Sequence, residues 1–477
     1  MAQPERVADT SVEQEKPRGS TPGLISRVRR SIWREPWPQD DRGRKRLILN
    51  DLILHLHAPT VPKRALQLTY SYGLGLLAVL LFAVLGFTGM LLVFVYTPTT
   101  DQAYASVLEL RSQVWIGALV RNMHHWSGNL LLIASVLHLL RVFYTAAFHP
   151  PREFNWLLGL SLLLLVALSN FTGYLMPWDQ LAYWATTIST SMLSYIPVVG
   201  ESIREFFIGG PEVGEFTLRT FFAFHIAVLP PLMLIITSYH LWRVRKDSFS
   251  LPRALDEPPP NRRKLERVTT VPHLVNLEIG FGLLALVLLI AWSTWVDAPL
   301  ENAANPAHPP NPAKAAWYFM GFQELLLHFH PAFVTVAIPG LAALGLLLLP
   351  YLDPDPRPEQ DVVGIWFRSR RGRRLAALNL VLGVVVTAGW VVLDEYWLDL
   401  PALLPFLPTA VSNGFIPVGA MVGVLAVYYW WLRRRGITRS ERNLALFTLL
   451  FMAFVTLTVV GVFFRGENMA LVLPWNR

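Results

Sequence analysis

The 477-residue chain contains no cysteine. That excludes disulfides, cysteine-ligated iron–sulfur clusters and thioether-linked haem on this chain. Charge is scarce as well: Asp, Glu, Lys and Arg make up 16% of the residues, against 53% hydrophobic. No internal repeat is visible. Met1 to about Asp51 lacks a long apolar core, so it does not read as a secretory signal peptide. It reads as a polar, partly disordered tail (1–50) with one surface helix around "LISRVRRSIW".

What the chain has instead is long apolar runs near the roughly 20 residues that span a bilayer. They predict nine membrane helices near 68–97, 117–146, 156–176, 219–244, 274–296, 333–352, 374–393, 413–432 and 443–464. The net charge of +8 does not point to nucleic acid, because the basic residues sit in short clusters between these runs. "RVRRSIWREPWPQDDRGRKR", "HPPREFNW", "RVRKDSFSLPRALDEPPPNRRKLER", "RSRRGRRL" and "RRRGITRSER" are basic or belong to the basic side. The intervening loops are poorer in Lys and Arg, and "DEYWLDLPALLPFLP" is acidic. By the positive-inside rule this alternation places the N-terminus in the cytoplasm and the C-terminus outside.

The second run, "RNMHHWSGNLLLIASVLHLLR", carries His124, His125 and His138 in a segment fit for hydrocarbon, where polar groups are costly and usually functional. His124 and His138 are 14 residues apart, which at ~3.6 residues per turn returns to nearly one face about 21 Å further on. The fourth run holds His225 and His240 at an interval of 15, a drift of about 60° that keeps one broad face. If the helices face each other, two bis-histidine sites form, one above the other. Imidazole suits iron, and a flat porphyrin needs an axial nitrogen on each side. One such histidine would read as a helix–helix hydrogen bond, and zinc is a weaker rival because the ligands are far apart. His125 is turned about 100° from His124 and reads as a packing or rim residue. Gly75 and Gly89 in the first run, and Gly159 and Gly173 in the third, repeat the 14-residue interval and offer room for a large planar ligand. Arg121 and Arg141 lie on the ligand faces nearer the membrane surfaces, where anionic propionates need partners and where side chains also snorkel.

The stretches "RNMHHWSGN", "FTGYLMPWDQLAYWAT", "FFAFHIAVLP" and "NPAKAAWYFMGFQELL" resemble cytochrome b of the quinol-oxidising cytochrome bc complexes, with the fourth subunit of the chloroplast-type complex fused on. The likeness covers about 50–355, and the interval of 15 is similar to the chloroplast type. It implies an all-α polytopic membrane protein with a four-helix di-haem bundle (51–250) and a fourth-subunit-like part (271–355); between them 251–270, rich in Pro and charge, reads as a cytoplasmic linker, and 356–477 lies beyond the likeness as a C-terminal extension with three spans. It implies two non-covalent b-type haems, with His124 and His225 holding the outer, low-potential one and His138 and His240 the inner, high-potential one. It implies a quinol-oxidation pocket near the outer surface, with Pro177, Trp178 and Tyr183 on one side and Trp317 and Tyr318 on the other. Quinone would be reduced near the cytoplasmic side. A Rieske iron–sulfur protein, a c-type cytochrome or similar acceptor, and a homodimeric complex in a bacterial cytoplasmic membrane complete the expectation.

Three departures stand out. The family's Pro-Glu-Trp-Tyr frame reads Ala315-Ala316-Trp317-Tyr318, so its carboxylate is gone. Glu324 is the nearest replacement as proton acceptor, two turns beyond Ala316 if the segment is one short helix, with Asp179 and His328 as rivals. Ser71 stands where the chloroplast type attaches a third haem through cysteine. Thr220 stands where the family has an arginine, with Arg219 one residue earlier. The competing classes are a di-haem anchor of a quinone-linked dehydrogenase, and a transporter with histidines on a proton path.

Overall fold

The computed structural model describes residues 38–50, 56–260, 264–354 and 361–476, so the expected helix at 24–33 lies outside the described residues. Among these, nine helices are long and apolar enough to cross a membrane: Leu74–Val93, Gly117–Tyr144, Glu153–Tyr174, Glu215–Asp247, Thr270–Trp295, Phe333–Leu352, Arg370–Tyr396, Val411–Arg434 and Arg439–Phe463. They are called the first to ninth spans below. The protein is an all-α polytopic membrane protein, and its one small sheet pairs Thr60–Pro62 with Arg267–Thr269 among the described residues. Asp41–Asn50, expected as irregular tail, is a helix.

The first span is shorter than its apolar run. Helix Leu68–Ser71 stops where Tyr72 and Gly73 both turn left-handed. A Cβ on Gly73 would sit 2.7 Å from the Phe281 ring, so both the turn and the packing call for glycine.

Three spans contain a π turn, and each has the same local cause. Phe224–Val228, Phe333–Ala337 and Val411–Phe415 are each followed by an apolar residue and then proline: Pro230, Pro339 and Pro417. Proline has no N–H for the i−4 carbonyl and its ring crowds that carbonyl. Widening the turn before it relieves the clash without breaking the helix. In the fourth span this wide turn lies between His225 and His240. One π turn adds a residue with almost no added rotation. The interval of 15 therefore acts as 14, and the two histidines take the same relative phase as His124 and His138 instead of drifting by about 60°.

Spans one to four form a bundle, first against second, second against third and third against fourth, and the fifth packs on the first two. Its core includes Leu81, Leu131, Leu132, Val166, Met233 and Leu289. The ninth span lies along the seventh and along the short helix Met320–His328, so the C-terminal extension is built into the molecule.

At one end the basic loops interlock. The Arg253 N–H donates to Gly364 O, the Gly364 N–H to Thr145 O, and the Phe367 N–H to Tyr144 O. Arg371 reaches the carbonyls of Arg435 and Gly436. This is the inner end of the charge-rule expectation, and it gives a prediction. A cysteine replacing Arg373 should resist an impermeant thiol reagent in intact cells and react after permeabilisation. The background is clean because the chain has no cysteine. Labelling of intact cells would contradict the orientation.

Candidate functional site

The imidazoles of His124 and His225 face one another with ring centroids 6.2 Å apart and planes at 72°. An ion held between two imidazole nitrogens by bonds of about 2 Å puts the ring centres roughly 6 Å apart. The gap therefore fits one metal ion. The protonation pattern fits as well. The Thr88 hydroxyl donates to Val84 O at 2.7 Å, so its oxygen is left to accept from Nδ1–H of His124 at 2.9 Å. Thr172 repeats this, donating to Leu168 O at 3.0 Å and accepting from His225 Nδ1 at 3.2 Å. With the proton on Nδ1, the lone pair sits on Nε2, the nitrogen free to ligate.

The four glycines answer the four histidines one to one. A Cβ on Gly89 would lie 3.1 Å from Cε1 of His124, and one on Gly173 2.6 Å from Cε1 of His225. At the other level the same distances are 3.3 Å from Gly75 to His138 and 3.6 Å from Gly159 to His240. The room the glycines were expected to give a planar ligand is thus taken by the imidazole of the facing histidine. This ranks the positions. Gly173→Ala should displace His225 and broaden or abolish one b-type component in the reduced-minus-oxidised spectrum, whereas Gly159→Ala, at ordinary contact distance, should leave both. Equal tolerance of the two would sink the ranking.

No group of three or more His, Cys, Asp or Glu that could hold a metal ion occurs among the described residues. Each level offers two nitrogens. An ion there must take its other ligands from something besides side chains, and an iron porphyrin brings its own equatorial nitrogens. The donor set fits haem better than a bare zinc ion, which wants four protein or water ligands.

The flanking arginines are tied to the main chain. Arg121 is buried and donates to the carbonyls of Ala298 and Pro299 at 2.8 and 2.7 Å. That uses two of its five donors. Asn122 completes the clasp, giving Nδ2 to Ser293 O and Asp297 and taking the N–H of Ala298 on Oδ1. Arg141 bonds the Tyr70 carbonyl and lies over its ring at 4.2 Å. His125 meets Asn129 Nδ2 and packs edge-on to Trp126, a packing residue as expected.

Beyond the His124–His225 level, "PWDQLAYW" folds around Asp179. Trp178 is left-handed at φ 50° and packs edge-on to Tyr183, both buried. The Asp179 carboxylate accepts from the N–H of Ala182, capping helix Gln180–Ser191, and from the N–H of Glu301. Both oxygens hold backbone, which leaves Asp179 a fold-making role. The Trp178 carbonyl accepts from Ala304 N–H, so this segment and the 301–305 loop form one wall. Trp317 donates its indole N–H to Asn129 at 2.6 Å, and Phe319 packs edge-on to Phe171, two residues before Gly173. The Tyr318 hydroxyl is buried without a hydrogen-bond partner, and burial pushes its pKa up. The pocket segments thus meet the His225 level.

Glu324 departs from its expected setting. Ala316 is extended, Trp317–Phe319 is a 3₁₀ turn and the helix of Glu324 begins at Met320, so the two do not share one short helix. Its carboxylate is fully buried and meets Arg465 at 2.5 Å and His328 at 3.2 Å.

Comparison with known proteins agrees with this geometry. The family described as cytochrome b/b6/petB matches residues 61–248. The cytochrome bc complex cytochrome b subunit of Chlorobaculum thiosulfatiphilum is 33% identical over 320 residues, 66% of this chain and 73% of that protein. Cytochrome b6 of Heliomicrobium gestii is 39% identical over 192 residues, 40% of this chain and 89% of that protein. A solved structure, the hyperthermophilic respiratory Complex III, shares the fold at a TM-score of 0.59 and 24% identity, covering 84% of this chain and 93% of that one. With His124 facing His225, a glycine against each of the four histidines, and two relatives matched over most of their own length, the chain belongs to the cytochrome b/b6 family.

Proposed function

We propose that the chain is the di-haem cytochrome b subunit of a Rieske/cytochrome b complex, oxidising quinol at the outer side of a bacterial cytoplasmic membrane and serving quinone reduction near the inner side. A Rieske iron–sulfur protein and a c-type cytochrome or similar acceptor are its partners, in a dimeric complex. The observation that carries this is the ladder of four histidines at two depths, each backed by a glycine. When bound, iron porphyrins on these pairs supply one-electron redox chemistry at two depths of the bilayer. The chain's own part is positioning. Thr88 and Thr172 keep the Nδ1 protons and aim Nε2. Arg121 and Arg141 fix the helix ends and offer unused donors to propionates. Trp317, Tyr318, Pro177, Trp178 and Tyr183 wall an outer pocket of mostly apolar character with few polar groups, the usual make-up of a small-molecule site.

The test separates this from a di-haem anchor of a dehydrogenase. The purified complex is poised with quinol and then given an excess of a high-potential oxidant. If the first electron of quinol leaves to that acceptor and the second goes to b haem, b-type absorbance should rise on adding oxidant. A simple anchor would only lose absorbance, and that outcome would refute the proposal.

A further inference from the structure

The C-terminal extension brings three charged side chains to the outer end of the pocket segment. Arg465, just beyond the ninth span, holds Glu324 through Nε at 3.0 and 3.1 Å and through a terminal nitrogen at 2.5 Å, and holds Glu395 at 2.8 Å. His328 places Nε2 3.2 Å from Glu324 and Nδ1 2.6 Å from Asp394. Asp394 and Glu395 come from the end of the seventh span. The groups facing His328 are therefore Glu324 on its own helix, Asp394 and Glu395 on the seventh span, and Arg465 beyond the ninth.

Two features set this cluster apart from a plain salt bridge. Three carboxylates face one guanidinium, so the cluster is short of positive charge unless His328 carries a proton. Both ring nitrogens of His328 face carboxylate oxygens, which suits an imidazolium donating from both. Burial alone would disfavour that charge, but the hydrogen bonds to Asp394 and Glu324 outweigh it and raise the His328 pKa. The second feature is a gradient of exposure. The side chains of Glu324, His328 and Arg465 are 0%, 1% and 0% exposed, whereas Asp394 and Glu395 are 16% and 25% exposed. The chain of hydrogen bonds begins on the helix that continues directly from Trp317 and Tyr318 and ends on the partly exposed Asp394.

We propose that Glu324, His328 and Asp394 form a proton exit path from the outer pocket, completed by the C-terminal extension. This rests on the quinol-oxidising reading above. The His328 imidazolium gives its Nδ1 proton to Asp394, which returns it to water; the neutral ring then turns so that its bare nitrogen faces Glu324 and takes the proton that Glu324 accepted from the pocket. One proton enters and one leaves, and His328 is again an imidazolium. Arg465 is a positioning residue that keeps the Glu324 carboxylate in line.

The test uses the purified complex oxidising a soluble quinol with cytochrome c as acceptor, across pH 6 to 9, in parent, Asp394→Asn, His328→Gln and Asp394→Glu forms. Asp394→Asn keeps the shape but cannot take a proton. It should slow quinol oxidation roughly tenfold or more, within the ~10²–10⁴ range of positioned proton-transfer groups, with a changed pH profile and an unchanged haem spectrum. Asp394→Glu should restore most of the rate, which a purely structural role would not predict. Parent-like rates and pH profiles in both Asp394→Asn and His328→Gln overturn the path. So does loss of haem or assembly in both, which marks the cluster as a brace. A parent complex with normal haem that does not oxidise quinol defeats the function reading itself, and the path with it.

Discussion

Replacing His138 by alanine should remove one b-type haem and leave the other. His138 packs against Gly75 and His240 against Gly159, the level below that of Gly89 and Gly173 along the same spans. His124 and His225 lie a full 14-residue interval away along their helices, about 21 Å at a rise of ~1.5 Å per residue. Their supports, Thr88, Thr172, Gly89 and Gly173, make no contact with the lower pair. The effects at sites this far apart should be independent. Redox titration of the purified variant should show one surviving b-type component, and it should be the one that Gly173→Ala perturbs. Retention of both components, or loss of both in a variant that still assembles, would defeat the two-level assignment.

Replacing Arg368 by leucine should prevent the protein from accumulating. At the end of the molecule where the basic loops interlock, Arg368 and Asp353 are buried and 2.8 Å apart, and His149 meets the same carboxylate at 2.6 Å. Ser440 and Asn443 bond it as well, and Arg368 also takes the Ser440 carbonyl. This knot joins the second-span loop, the end of the sixth span and the start of the ninth. Burial by itself raises the Asp353 pKa. The charge of Arg368 and the bonds from His149 and Asn443 more than reverse that, taking it from 3.8 down to about 2. A carboxylate with a depressed pKa gives stability that is present above about pH 4 and is lost as pH falls toward 2. The knot therefore holds through the neutral range. Removing the guanidinium strands a buried charge, at a cost of about 3–5 kcal/mol, whereas replacing both partners with apolar residues is often near neutral. Arg368→Leu with Asp353→Leu should thus recover part of the lost yield in detergent-extracted membranes. Full accumulation of the single variant would show that the knot carries little of the fold.

The nine spans were legible because hydrocarbon imposes run length directly, and the ladder because 14 residues return a helix to one face. What stayed hidden had local or distant causes. The π turn was signalled by "FHIAVLPP", where two prolines follow the histidine, but only the geometry shows that it corrects the phase of His225 against His240. Thr88 and Thr172 were also within reach. Phe-Thr-Gly occurs at 87–89 and again at 171–173, pairing the hydroxyl that orients His124 or His225 with the glycine that makes room for it. The Glu324–Arg465 pair could not be read, because its partners are 141 positions apart and nothing in the sequence around either residue names the other. Asp179 stood as a rival to Glu324 for the proton acceptor. Its setting before "QLAY" is that of a helix cap, which the structure confirms.

The central claim is that this one chain holds two non-covalent haems on two histidine pairs. Haem extracted from the purified protein into acidified solvent and quantified against chain concentration tests it most directly, paired with a redox titration of the b-type band. The account predicts two haems per chain, all extractable because no cysteine can tether them, titrating as two components. One haem per chain, a single titrating component, or haem that stays with the denatured protein would contradict it.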